Sequence, residues 1–149
     1  MDYAKGTCSR VFWVRFDHND DLLEKLKELV VKENIRQAWF WCLGALRHAQ
    51  IVTGPRESAV PPIPMWHHII ESHEVIGVGN ITFHEDTGQP VIHLHASLGR
   101  ADDTRVGCIR KSTEVYLTIE CAIMEFSGFE AVRKPKEGMG IDLIEFKRD

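Results

Sequence analysis

Residues 113–125 (TEVYLTIECAIME) limit the possible folds more than any other stretch, because apolar side chains recur there at every second position. Val115, Leu117, Ile119, Cys121 and Ile123 alternate with Tyr116, Thr118, Glu120 and Ala122. A period of two places each set on one face of an extended chain, so the first set is expected to be buried along a long strand.

Most of the remaining sequence is strand-like as well. Residues 10–16 (RVFWVRF) mix β-branched and aromatic residues with arginine and predict a strand ending at a turn. Asn19 or Asp20 then stands where it can cap a helix, whose Leu22, Leu23, Leu26, Leu29 and Val30 recur at helical spacing and face a core. Asn34 tolerates the left-handed conformation found just past helix ends and marks the stop. Residues 38–52 predict a strand, a break near Gly44 and a second strand. The four prolines of residues 54–65 predict a surface loop. Extended structure resumes at 66–70 and 74–83, where Gly77 and Gly79 leave room for a bulge or a close backbone approach. Residues 85–89 form a turn. Strands 91–98 and 106–109 are expected to be joined by the polar loop GRADDTR, and a charged segment, 133–140, precedes a last strand at 141–146. One early helix among many strands predicts an α+β fold, a single domain over residues 1–149 with a largely antiparallel sheet. A chain of 149 residues suffices for one such core.

The sharpest chemical signal is His93-Leu94-His95. On a strand, His93, His95 and Ser97 share one face, and Ile92, Leu94, Ala96 and Leu98 share the other. The apolar face can be anchored in the core, which fixes two imidazoles side by side. If the chain returns as a hairpin with residue 95 opposite 108, Leu94 meets Ile109 on the core face and Cys108 joins the histidines. Two imidazoles and a thiolate are ordinary zinc ligands, and three protein ligands leave a fourth position for water or substrate. The plainer alternative makes His93 and His95 polar-face residues of a half-exposed strand and Cys108 a small buried hydrophobe.

Other candidates carry less. His67 and His68 would point to opposite strand faces; with His73 and His84 they are expected at the surface. Glu74 could assist a metal-bound water but reads more simply as a solvated carboxylate. Trp13, Trp39, Trp41 and Trp66 read as core or subunit-interface residues. No dinucleotide fingerprint, P-loop, nucleophile elbow or H-E-x-x-H occurs.

The net charge of −4 argues against a general polyanion binder, so nucleic acid is not the expected partner. The longest apolar run, residues 38–43, is far short of a membrane span, and MDYAKGTCSR has no signal-like apolar segment. Four cysteines without a C-x-x-C pair fit a reducing compartment, so a soluble cytoplasmic protein with no membrane partner is expected.

These segments together resemble the plants and prokaryotes conserved (PPC) domain family, specifically its stand-alone prokaryotic members. The likeness runs through RVFWVRF, the acidic-capped helix, CLGAL at 42–46, HEVIGVGNI at 73–81 and PVIHLHASLGR at 90–100. Where prokaryotic relatives show Gly-Gly-His-Leu, this chain has Val106, Gly107, Cys108 and Ile109, so cysteine stands in place of histidine. The resemblance implies a compact α+β subunit that assembles as a homotrimer. Plant members add AT-hook segments, whose Arg-Gly-Arg-Pro core is missing from this sequence, and a Gly-Arg-Phe-Glu-Ile-Leu-like contact motif. Only the glutamate and apolar pair of that motif survive in residues 71–76 (ESHEVI). A weaker likeness, to the zinc site of acetolactate decarboxylases, covers His93 and His95 with Cys108 as a substituted third ligand. The resulting expectation is a homotrimer that binds Zn2+ or a similar divalent ion through His93, His95 and Cys108 and holds a small-molecule ligand there. The alternatives are a zinc-dependent lyase or hydrolase acting on a small oxygen-rich molecule and, on family association alone, a DNA-associated regulator.

Overall fold

The alternation at 113–125 turns out to be half of a much longer strand. The structure, a computed structural model, describes residues 1–147. Among them, β6 runs from Asp103 to Ser127 and absorbs the two separate strands expected at 106–109 and 113–125. The other elements are β1 (Thr7–Asp17), α1 (Leu22–Lys32), β2 (Ala38–Pro55), β3 (Pro64–Ile69), β4 (His73–His84), β5 (Pro90–Arg100), β7 (Glu130–Pro135) and β8 (Asp142–Lys147). One helix and a mostly antiparallel sheet make this the expected α+β fold. Among the described residues no helix is long and apolar enough to cross a membrane.

A strand as long as β6 must coil, and it does so at bulges. Ser112 and Leu117 take positive φ values of 58° and 59°. Opposite β2 the register passes from Gly44↔Ile119 to Ala45↔Tyr116, leaving Leu117 and Thr118 as the extra residues. Leu117 is therefore 65% exposed, against the expectation from its parity, while Val115, Ile119, Cys121 and Ile123 are buried. The break expected at Gly44 is the other side of this bulge. The chain continues as one strand, with Gly44 at φ 142° and so close to β6 that a Cβ there would lie 2.2 Å from the Thr118 carbonyl oxygen.

Because β2 pairs with both β6 and β4, and β5 bridges β4 and β6, these four strands close into a ring. Phe40, Ile51, Leu94, Ile109 and Ile123 are buried in its core. Gly77 and Gly79 serve the close approach expected of them: a Cβ on Gly79 would come within 2.5 Å of the Phe40 ring.

Helix α1 buries Leu22, Leu23, Leu26 and Val30. Its cap is Asp21, not Asn19 or Asp20: Asn19 is at φ 72° in the preceding turn, and the Asp20 carboxylate accepts instead from the Asp17 N–H at 2.9 Å. Asn34 takes φ 51° just past the helix, as expected. The loop GRADDTR is mostly strand, since Gly99↔Thr104 and Arg100↔Asp103 are paired and only Ala101 and Asp102 turn. Strand β7 was not foreseen. It lies parallel to the end of β4 through Phe83↔Val132 and His84↔Arg133 and forms a hairpin with β8.

Candidate metal centre

The β5–β6 hairpin pairs Leu94 with Ile109 and His95 with Cys108. Leu94 and Ile109 face the core, at 0% and 3% exposure, so His93, His95 and Cys108 must share the opposite face. Their ligand atoms all lie within 4.8 Å of one another. The two Nε2 atoms are 3.1 Å apart, and the rings meet edge to face. On a tetrahedral zinc ion, bonds of 2.0–2.1 Å to nitrogen and 2.3 Å to sulfur put such donor atoms roughly 3.3–3.7 Å apart. The donor set fits a zinc-like cation, which would need only small side-chain shifts to draw the three atoms to that spacing.

Each ligand has a different surrounding. His95 is exposed, His93 is half-buried and Cys108 is buried. Burial is the main reason that the His93 pKa falls to about 4, and the charges of Arg133, His95 and Arg110 add to the effect. Burial pushes the Cys108 thiol up, opposed by Arg110 and Arg133. The His93 imidazole is thus neutral at neutral pH, whereas the sulfur must lose a proton to become a ligand.

Sequence reasoning missed the residues around this triad. Arg133, carried in by β7, donates from Nη2 to His93 Nδ1 at 3.2 Å and to Asn80 Oδ1 at 3.1 Å, and from Nη1 to the Asp142 carbonyl at 2.9 Å. Asn80 is the cross-strand partner of His93. Two clefts flank the triad and share Arg110, Gly140 and Ile141. One, of about 460 Å³, opens over His95 and Cys108. The other, of about 680 Å³, opens beside His93 and Arg133. The proline-rich loop helps wall the first: Gly140 lies so close to it that a Cβ there would be 2.6 Å from Pro61.

The remaining candidates lie elsewhere. Glu74 is exposed on β4, four residues from Val78, the partner of His95, and therefore about 13 Å along the strand from the triad. His67 and His68 do sit on opposite faces, with His67 accepting from Arg105 at 3.3 Å. His73 corrects the surface expectation: it is 8% exposed, and its Nδ1 donates to the Glu71 carbonyl at 2.6 Å. None of the four tryptophans is a core residue of the chain; each is at least 45% exposed. The four cysteines are free thiols.

Solved structures share this architecture. A metal-containing protein from Archaeoglobus fulgidus superposes with a TM-score of 0.83 at 22% identity, covering 96% of this chain and 98% of its own. A plant- and prokaryote-conserved (PPC) protein from Pyrococcus horikoshii matches with a TM-score of 0.83 at 23% identity, covering 99% of each chain. A protein from Ralstonia eutropha JMP134, whose name conjectures DNA binding, matches with a TM-score of 0.71 at 18% identity over 89% of each chain. No curated protein matches the chain. The model of one family, the Plants and Prokaryotes Conserved (PCC) domain, matches residues 3–127, which takes in the helix, the ring of strands and all three clustered ligands, and the chain belongs to that family.

Proposed function

We propose that this protein is a metal-binding PCC-domain protein that holds zinc with His93, His95 and Cys108 and uses the site to organise a small-molecule ligand. The observation that carries this reading is the register of the β5–β6 hairpin, which sets Cys108 opposite His95 and brings three zinc-type donors within 4.8 Å. A bound zinc ion would supply a Lewis-acidic centre with a vacant position. The chain's own part is to fix the donors on a rigid hairpin and to wall the space beside them. The Archaeoglobus fulgidus relative, described as metal-containing, supports the same reading.

The assembly proposed is a homotrimer in the cytoplasm. Trp13, Trp41, Leu43 and Ile76 are 48–79% exposed and line one apolar cleft of about 230 Å³. Exposed aromatic and aliphatic groups gathered in this way are typical of subunit contacts.

Protein purified without a histidine tag is expected to contain one zinc per chain by elemental analysis, and His95→Ala to contain none. Metal-free protein that stays metal-free in the presence of stoichiometric zinc would refute the reading. Light scattering should give three times the 17.1 kDa chain mass, and a monomer at micromolar concentration would refute the trimer.

A further inference from the structure

The clefts beside the triad hold more positive charge than a cation site calls for. Arg110 stands two residues beyond Cys108 on β6 and lines both clefts, and Arg133 approaches His93 from β7. Neither guanidinium pairs with a carboxylate among the described residues, and exposed Arg110 has no hydrogen-bond partner among them. Among the described residues, the one acidic residue lining the second cleft, Asp142, gives its carbonyl to Arg133, while its carboxylate lies 3.9 Å from His84.

The first cleft is simpler. No carboxylate among the described residues lines it. Val52, Val106, Pro62, Pro64 and Ile141 give it apolar walls; His95, Cys108 and Arg110 stand at its polar side. Arg110 is therefore the free charged donor of a cleft whose other walls are mostly apolar, a make-up that suits an anion with an apolar part.

We infer that this cleft binds a small organic carboxylate, with Arg110 taking the carboxylate and the apolar walls its hydrocarbon part. A guanidinium matches a carboxylate with two parallel hydrogen bonds. Apolar walls favour an anion with a short hydrocarbon chain over inorganic phosphate, which has no apolar part to bury. The inference rests on the metal-binding reading in one respect: the carboxylate sits beside the cation held by His93, His95 and Cys108.

The test uses cobalt in place of zinc, since its visible bands report changes at the metal. Cobalt content is measured for every sample before titration with butyrate, its neutral counterpart butyramide, or inorganic phosphate. Butyrate is expected to shift the bands saturably and butyramide to leave them unchanged. Arg110→Gln should keep one cobalt per chain and require about tenfold more butyrate, the effect of losing a charge-assisted pair. Equal responses to butyrate and butyramide, an unaltered titration in Arg110→Gln, or tighter binding of phosphate than of butyrate would overturn the proposal. Saturation-transfer NMR of butyrate on the metal-free protein reads the cleft alone. Transfer to its methyl protons that disappears in Arg110→Gln supports the site even if cobalt fails to bind; no transfer in the unmodified protein overturns it. Failure of cobalt uptake refutes the metal reading separately.

Discussion

Arg133 Nη2 donates to His93 Nδ1 at 3.2 Å, so a side chain with only donors occupies the nitrogen that a metal-bound histidine normally uses to donate. In the metal-free arrangement this puts the His93 proton on Nε2, from which it reaches His95 Nε2 3.1 Å away. A cation between the two Nε2 atoms must displace that proton. Arg133 therefore opposes metal binding twice, by its charge and by its hydrogen bond.

The first prediction follows from that opposition. Arg133→Gln removes the charge and offers an amide oxygen that can accept from Nδ1–H. Zinc affinity is expected to rise about tenfold, within the range by which such outer partners tune metal sites. Arg133→Lys, which keeps the charge and remains a donor, should leave affinity near its original value. Competition titration against a chromophoric chelator gives both numbers, and weaker binding by the glutamine variant would contradict the account.

Gly79 supports the second prediction. A Cβ at this position would lie 2.5 Å from the Phe40 ring and 2.6 Å from the His93 carbonyl oxygen. Phe40 is fully buried and cannot retreat. Gly79→Ala should cost about 1–3 kcal/mol, as overpacked cores do, and should weaken zinc binding by displacing the backbone that carries His93. Gly99→Ala is the control: its nearest atom would be Thr104 Oγ1 at 3.8 Å, so urea unfolding and zinc affinity should both be nearly unchanged.

How much of this could be read from sequence depended on the distance between interacting residues. The pairing of His95 with Cys108 was legible because a tight hairpin joins the two strands and the core parity of Leu94 and Ile109 excludes every register shifted by one residue. Arg133 was not, because β7 joins β4 in parallel across some fifty residues, and its six-residue sequence EAVRKP carries no strong alternation. The exposure of Leu117 was hidden for another reason. A bulge shifts a side chain off its face, and no glycine marks the positive φ at that position. The cap expected at Asn19 or Asp20 falls at Asp21 because all three are competent caps, and only tertiary contacts choose among them.

Those contacts give the third prediction. Asp21 Oδ1 accepts from the Glu24 N–H at 3.2 Å and from the Thr113 hydroxyl at 2.6 Å, while Oδ2 accepts from the Thr113 N–H at 3.2 Å. The Thr113 oxygen in turn accepts from the Leu23 N–H at 3.0 Å. One carboxylate thus caps α1 and locks it to the bulged part of β6. Asp21→Ala removes the cap and leaves the fully buried Thr113 short of partners, with an expected cost of about 2–4 kcal/mol. Asp21→Asn keeps the Oδ1 acceptor and should lose less than half as much in urea denaturation.

The last prediction concerns acid stability and lies away from the metal centre. Arg10 binds Glu125 through Nε to Oε2 at 2.6 Å and Nη2 to Oε1 at 3.1 Å, and also donates to the Glu33 carbonyl at 2.8 Å, tying β1, β6 and the end of α1 together. The Arg10 hydrogen bonds hold the Glu125 carboxyl below its ordinary range, with partial burial pulling the other way. A carboxyl whose pKa is lower folded than unfolded binds fewer protons in the native state, so its contribution is complete above the unfolded value of about 4.3 and disappears as pH falls through the folded value. Glu125→Gln should therefore lower Tm by roughly 2–4 °C at pH 7. The gap to the unmodified protein should close as pH drops from 5 toward 3, because the unmodified protein then loses the same charge. Thermal unfolding of both proteins across that range provides the measurement, and a gap that stays constant with pH would show that Glu125 acts through packing and not through its charge.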